Sequence, residues 1–268
     1  MTPNQLIRVN GEIMAVAMMV NTQQLMCRED ILSDLGIHTP TTWDEVYAAA
    51  DKISAAGVVD YPHGSTIKSG WNLAQEFVNL YPAFGGIFFN DNNTTAVNSD
   101  AGIRALETMK EALEYTGPEV LVSDSTYVQQ QFQQGNIAMA NLWASRAGAM
   151  NDEAESQVVG KVAMAAAPKA MEGGAPATTL CWDGIVMAKN ISDEEADAAF
   201  RLAMEGLDAD MVKGANDAAI WLVEGYEPTA VAKGAIDTAT ANPASPPILP
   251  RHKWACCIQR SATNGRPA

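Results

Sequence analysis

Within six residues near the middle of the chain, Asn141, Trp143 and Arg146 bring together a side-chain amide, a large flat ring and a guanidinium. Ahead of them, Val128 to Gln134 reads as the end of an amphipathic helix, Gly135 as its stop and Asn136 to Ala140 as a short strand. The cluster therefore falls where that strand runs out. In α/β proteins ligands sit at the carboxyl ends of strands, so this trio suits a polyhydroxylated or charged small molecule. Trp71, in Ser69-Gly70-Trp71-Asn72, and Trp182, in Cys181-Trp182-Asp183-Gly184, also adjoin small or polar residues. A sugar ring offers an apolar C–H face to an indole and hydroxyl edges to amide, carboxylate or guanidinium partners. A pocket of aromatic walls with a few placed polar groups meets both demands. Taken singly, each tryptophan fits a core position as well. Trp43, beside a helix start, and Trp221, in a helical stretch, read as packing residues.

No catalytic signature accompanies these residues. The chain has no G-x-S-x-G elbow, no H-E-x-x-H, no G-x-x-x-x-G-K-[ST] loop and no G-x-G-x-x-G turn. Asp183 is the one carboxylate in an otherwise apolar strand, where it suits a general acid or base or a hydrogen-bonding group; without a visible partner, hydrogen bonding is the favoured role. Glu194-Glu195 fall in a helix's first turn, where they complement the macrodipole. His38, His63 and His252 are too separated for a metal site and read as loop or surface residues. Cys27 and Cys181 lie in apolar runs as buried thiols, and the adjacent Cys256-Cys257 has no second pair for zinc. No metal, cofactor or disulfide is expected.

Composition narrows the partners. With 47% hydrophobic residues over 268 positions, the chain can bury the core of one large domain or two ordinary ones. A net charge of -15, with 17 scattered basic residues, excludes nucleic acid and anionic membrane as partners and reads as a solvated surface. No window approaches the ~18 apolar residues of a membrane span. The opening MTPNQLIRVNGEIM has no basic region followed by an apolar one, so no export signal is expected in this chain.

To hold the candidate residues in place, strands and helices must alternate. Glu12 to Val20 reads as a buried strand, and Gln24 to Arg28 as its continuation or a second strand after the polar break Asn21-Thr22-Gln23. Such an interrupted strand suits a crossing between two lobes. Glu29 to Leu35 is a short helix stopped by Gly36, and a capping box of Thr42 and Glu45 opens a helix to about Ala55, ended by Gly57. Trp71 to Tyr81 has Leu73, Phe77, Val78 and Tyr81 at helical spacing before Pro82 and Gly85-Gly86 break it. A hairpin is expected over Ile87 to Phe89 and Thr94 to Val97, and a helix capped by Asp100 runs through Tyr115 with Ile103, Leu106, Met109 and Leu113 on one face. Strands follow at Lys161 to Ala167 and Thr179 to Ala188, the latter broken at Trp182-Asp183-Gly184, and a second capping box, Ser192 to Glu195, starts a helix to about Leu207.

Several of these segments, in order, resemble bacterial extracellular solute-binding proteins of the sugar-binding kind that serve ABC importers, the group of maltose-binding protein. The likeness rests on Asn10-Gly11-Glu12-Ile13-Met14-Ala15-Val16, the strand through Leu25-Met26-Cys27-Arg28, and Pro40-Thr41-Thr42-Trp43-Asp44-Glu45. Phe132-Gln133-Gln134-Gly135-Asn136-Ile137-Ala138-Met139 with Trp143 after it, Gly160-Lys161-Val162, Trp182-Asp183-Gly184-Ile185 and Gly225-Tyr226-Glu227-Pro228-Thr229 extend it over roughly residues 8 to 235. The resemblance implies an α/β, type II periplasmic-binding architecture of two lobes with the first lobe incomplete: 1–23 as remnant and crossing strand, 24–177 as second lobe and 178–235 as return to the first. The stretch 236–268 departs from the family and is expected to be disordered or frame-shifted. Also implied are capture of a sugar or polyol by hinge closure, delivery to ABC permease subunits, a periplasmic or extracellular location and a monomeric state. On this reading Asn21, Gln23, Trp182 and Asp183 face the solute from one lobe, and Trp71, Asn141, Trp143 and Arg146 from the other. Trp143 and Trp182 are the stacking walls, Asp183 and Arg146 the hydroxyl partners. A glycoside-processing enzyme with the same cleft is the alternative, though Asp183 lacks a second carboxylate; a non-binding fragment of the same fold is the other.

Overall fold

Asn10 and Gly11 both take positive φ, 53° and 86°, and form the two-residue turn that joins β1 (Leu6–Val9) to β2 (Glu12–Arg28). An Asn-Gly pair tolerates that left-handed backbone better than almost any other and matches the twist of a hairpin. The computed structural model describes residues 6–207 and 220–221. After the hairpin come α1 (Glu29–Asp34), α2 (Trp43–Ala56), β3 (Tyr61–Gly64), α3 (Trp71–Ala83), α4 (Asp100–Glu111) and α5 (Ser125–Gln133). Then follow β4 (Ile137–Trp143), α6 (Ala147–Met150), β5 (Val162–Ala165), β6 (Leu180–Ile185), α7 (Asp193–Gly206) and β7 (Ile220–Trp221).

The 17-residue β2 organises the strands by changing partners along its length. Its residues up to Thr22 pair with β1, β6 and β7, whereas Gln23 to Arg28 pair with β4 and β5. Every pairing to β2 is antiparallel, and β3 joins β4 in parallel. Of the two readings of the polar stretch at Asn21, the structure has the continuous strand. The backbone keeps its ladder there because the polar side chains find buried partners of their own.

Around the second half of β2 the sheet is covered on both faces. Leu25, Cys27 and Met139 pack with α1, α2, α3 and α4, while Met26, Ala140 and Leu142 pack with Val128 and Phe132 of α5 and Met150 of α6. This two-sided burial explains why β4 reads as a nearly unbroken apolar run. Each fully buried large side chain, such as Phe132 or Leu142, contributes about 1.5–3 kcal/mol. Burial also pushes the Cys27 thiol up to about 12, consistent with an inert thiol, whereas Cys181 is only half-buried.

Helix ends follow the sequence with some changes. Thr42 caps α2 by accepting from the Glu45 N–H, but the Glu45 carboxylate reaches back to Thr41, so the expected box is only half formed. The helix ends at Gly57, at φ 63°. The Ser192–Glu195 box is complete. Ser99, not Asp100, caps α4, and α3 runs through Pro82 because Leu80, Tyr81 and Ala83 bury its last turn. The expected hairpin at Ile87 is reduced to one bridge, Phe89 to Thr95. β6 continues through Trp182, Asp183 and Gly184 instead of breaking, and Trp221 lies in a short strand rather than a helix. His252, Cys256, Cys257, the 225–229 segment and the 236–268 tail lie outside the described residues. Among those that are described, no helix is long and apolar enough to cross a membrane.

The inner face of α4 differs from its apolar stripe. Gly102, Ala105 and Met109 are buried, while Ile103 and Leu106 are exposed. Small residues win because the helix lies close to its neighbours: a Cβ on Gly102 would stand 2.2 Å from the Val97 carbonyl oxygen and 3.7 Å from the Tyr81 ring. Helix propensity alone favours Gly102→Ala by about 1 kcal/mol. The contact is with backbone, so the substitution forces α4 to shift, at about 1–3 kcal/mol. We expect Gly102→Ala to lower the urea midpoint; a raised midpoint would show that the α4 N-terminus relaxes freely.

Candidate functional site

Helix α3 turns a polar face inward. Leu73, which the apolar spacing assigns to the core, is exposed, while Gln75, Glu76 and Asn79 are buried. These three reach the place where β2 changes partners. Asn79 Nδ2 and Asn141 Nδ2, the latter at 3.2 Å, both donate to Gln23 Oε1, and Gln23 Nε2 donates to Glu76 Oε1 at 3.4 Å. Thr66 Oγ1 donates to the same carboxylate oxygen. Gln75 Nε2 donates to Asn79 Oδ1 at 2.9 Å and to Thr179 Oγ1 at 2.8 Å, and Thr179 Oγ1 donates to Asn79 Oδ1 at 3.0 Å. Thr178 Oγ1 completes the set by accepting from the Gln23 N–H and donating to the Gln23 carbonyl. One network thus ties β2, α3, β4 and the residues leading into β6. Sequence reasoning missed α3's part in it; the available signal was three polar residues at helical spacing, Gln75, Glu76 and Asn79, in the middle of a mainly apolar helix.

The sequence-derived candidates fall into three groups. Asn21, Gln23 and Asn141 are buried, at 7%, 1% and 4% exposure, and bonded to protein; Asn21 donates to Ser145 Oγ at 2.9 Å. Asn141 lies inside β4 rather than beyond its end, since the strand runs to Trp143. Trp143 is half-buried and stands opposite Gln23 in the ladder, at the mouth of the network. Arg146, half-buried in the turn after β4, donates to Gln129 Oε1 and, at 3.3 Å, to Thr126 Oγ1 of α5. Burial holds its guanidinium pKa below the usual value. Trp71 is the first residue of α3 and is 71% exposed. The second group is therefore Trp143, Arg146 and Trp71, which keep solvent exposure, Trp71 most of all. Asp183 forms the third with Trp182: it is exposed on β6, opposite Met19, four positions along β2 from Gln23. The Trp182 backbone pairs with Val20, and its side chain lies outside the described residues.

His63, expected in a loop or at a surface, is 2% exposed on β3, edge-on to Trp43 with ring centroids 5.7 Å apart. Trp43 is a core residue, as its place beside the helix cap implied. Among the described residues no group of His, Cys, Asp and Glu is arranged to hold a metal ion. Burial pushes the Glu76 carboxyl up to about 7, against the pull of its bonds from Thr66 and Gln23. Burial pushes His63 down to about 4. At neutral pH the histidine is uncharged, and Glu76 holds its proton to a pH well above the ordinary carboxylate range.

These two groups act on stability in opposite senses. Glu76, raised from 4.5, contributes stability that is full below about 4.5 and lost as pH rises through about 7. His63, lowered from 6.5, contributes stability present above about 6.5 and lost as pH falls through about 4. Between pH 4.5 and 6.5 the slopes oppose, each at most ~1.4 kcal/mol per pH unit. Glu76→Gln removes one of them. The stability of the natural chain minus that of Glu76→Gln should grow as pH falls from 7 to 4.5, read from urea midpoints at each pH. A constant difference would mean that Glu76 titrates at its ordinary value.

Comparison with known proteins places this geometry in a family. The family model for bacterial extracellular solute-binding proteins matches residues 4–205. A Deinococcus radiodurans protein named "Probable ABC transporter-binding protein" is 27% identical over 201 residues, 70% of this chain and 46% of its own length. Maltose-bound MalE3 of T. maritima superposes with a TM-score of 0.77 at 24% identity, over 97% of this chain and 68% of that one. A solute-binding protein of Agrobacterium radiobacter in complex with ribitol gives 0.70 at 24% identity, over 79% and 53%. The chain spans about half the length of the curated relatives it matches. Its mixed α/β architecture is that of type II periplasmic binding proteins, and the shared family is one of binders rather than catalysts. The chain belongs to the bacterial extracellular solute-binding protein family.

Proposed function

We propose that this chain captures a sugar or polyol for an ABC importer, in a cleft whose rim carries Trp71, Trp143 and Arg146. The observation that carries the reading is the pairing of open aromatic faces with a polar interior: Trp71 is 71% exposed, and Trp143 stands half-buried at the end of β4 opposite the bonded Gln23. Indole faces stack on sugar C–H surfaces, and the half-buried Arg146 guanidinium offers N–H donors to hydroxyls. Relatives of the same architecture are described with maltose, ribitol and D-mannitol bound, which supports this solute class.

In this proposal the described residues up to 23 and from 178 on form one unit and 24–177 the other, with the partner change of β2 at Thr22 and Gln23 as the first crossing and Thr178 and Thr179 as the entry to the second. Asp183 and Trp182 then meet the solute from the far side, and contacts made from both sides exist only when the units close. A solute that binds the closed form shifts the population toward it, and that form is what the permease subunits recognise. The family's extracellular setting supports a periplasmic or extracellular location. Asn21, Gln23 and Asn141 act here as the buried support of the rim.

A panel of maltose, ribitol, mannitol and longer oligosaccharides tests this by thermal shift and calorimetry. At least one solute should raise Tm and be recovered unchanged. Trp71→Ala should weaken its binding about tenfold, or ~1.4 kcal/mol, and leave the ligand-free Tm in place because the side chain is exposed. Trp143→Ala should weaken binding at least as much. No response to any solute, or binding untouched by both substitutions, would sink the proposal.

A further inference from the structure

Three buried polar atoms have no hydrogen-bond partner among the described residues: Trp43 Nε1, His63 Nε2 and Asn141 Oδ1. They come from three elements, α2, β3 and β4, yet all three residues line one cavity of ≈ 20 Å³. Their side chains are held in place by their other contacts. The Trp43 ring packs edge-on against His63, His63 Nδ1 lies 3.2 Å from Ser65 Oγ, and Asn141 Nδ2 donates to Gln23. Each residue is at least 95% buried, so bulk solvent cannot satisfy the remaining atoms. Leaving a polar atom in that state is costly, and native proteins pair nearly all of them.

We infer that a single internal water molecule is bound in this cavity, held by Trp43 Nε1, His63 Nε2 and Asn141 Oδ1 together. A cavity of this size admits one water and nothing larger, and three polar partners is the usual number for a buried water. The donor and acceptor count closes. The Trp43 N–H donates to the water oxygen, and one water hydrogen is donated to Asn141 Oδ1. His63 Nε2 accepts the second hydrogen when Nδ1 carries the ring proton, or donates to the oxygen's second lone pair when Nε2 carries it. The water thereby joins Trp43 and His63 to the network at the β2 crossing through Asn141, making α2 and β3 part of the support behind Trp143. This inference rests on the cavity and its polar atoms and stands whichever solute the rim takes.

The full chain labelled with indole 15N gives signals from six tryptophans, and Trp43→Phe identifies that of Trp43. Its N–H should cross-relax with water with opposite signs in the laboratory and rotating frames, as a long-lived bound water does. Ala112, which also lines the cavity, gives the second arm: Ala112→Val fills the space without removing a polar partner. If the water is there, this substitution abolishes the cross-relaxation and lowers Tm, because three polar atoms lose their partner. If the cavity is dry, filling it raises Tm, and the inference is overturned. A water signal that survives Ala112→Val arises from hydroxyl exchange at Ser65 or Thr66 and overturns it equally. Should Ala112→Val not fold, a crystal structure of the natural chain decides. An ordered oxygen bonded to all three atoms supports the site, and direct bonds among the three side chains refute it.

Discussion

The amide of Gln23 cannot leave the interior and cannot go unpaired. It sits at 1% exposure in the residue where β2 passes from one set of strands to another, flanked by Asn21, Thr22 and Gln24, all buried. Each polar group left unsatisfied there would cost about 1–3 kcal/mol, a large fraction of a domain's net stability. The surroundings are therefore chosen for polarity before they are chosen for packing. Asn141 in the middle of an apolar strand, a polar face on α3, and threonines at 178 and 179 all answer to that one requirement.

The requirement propagates outward through α3. With Gln75, Glu76 and Asn79 turned to the crossing, the helix offers the apolar core Leu80, Tyr81, Ala83 and the partly buried Phe77. Tyr81 takes much of that role: it stacks on Phe77, meets Phe88 edge-on and ends in a hydroxyl whose one proton is shared between the Ile87 and Ala96 carbonyls. The next helix must then come close to reach that ring, and α4 does so through Gly102 and Ala105 rather than through its larger side chains. The apolar stripe that periodicity assigns to the inside of α4 is left on the outside. A polar constraint at one strand thus decides the inner face of a helix two layers away.

This is also where reading the chain as a string of letters loses force. Signals that are local in both cause and effect were legible: the Thr42 and Ser192 caps, the stop at Gly57, and the chain of segments that resembles solute-binding proteins. Asn10-Gly11 also carries a local signal, an Asn-Gly pair ahead of an apolar run, which is that of a hairpin turn. Burial in α3 and α4 was not, because hydrophobic periodicity assumes that the apolar face is the hidden one, and a network closed by bonds between residues 53 to 155 positions apart overrides that assumption. His63 fails for the same reason: a lone histidine carries no mark of being buried until β3 is set beside β4 and α2 covers it. For the candidate site, residue types were easier to pick than orientations. Asn21, Gln23 and Asn141 were recognisable as unusual polar residues, but their alternation on the strands points them into the protein.

That division suits a binding wall. Side chains that touch a solute directly must be placed within a fraction of an ångström, and each loose one adds an ordering cost at the moment of binding. Trp143 emerges from β4 directly opposite Gln23, so its backbone position is set by the same ladder and the same buried bonds that the crossing requires. Arg146 is braced from the other side by Gln129 and Thr126 of α5, a helix fixed at its start by Asp124, whose carboxylate accepts from the Thr126 and Tyr127 N–H groups. Polar networks of this kind have few alternative arrangements, because moving one member strands several others. In the two-unit proposal, bending at the crossing then proceeds between discrete bonded states rather than by gradual yielding, with Gln23 and Thr178 as the pair whose bonds must persist or exchange. The polar interior and the aromatic rim are in that sense one device: the first limits how the strands can move, and the second uses the positions so defined.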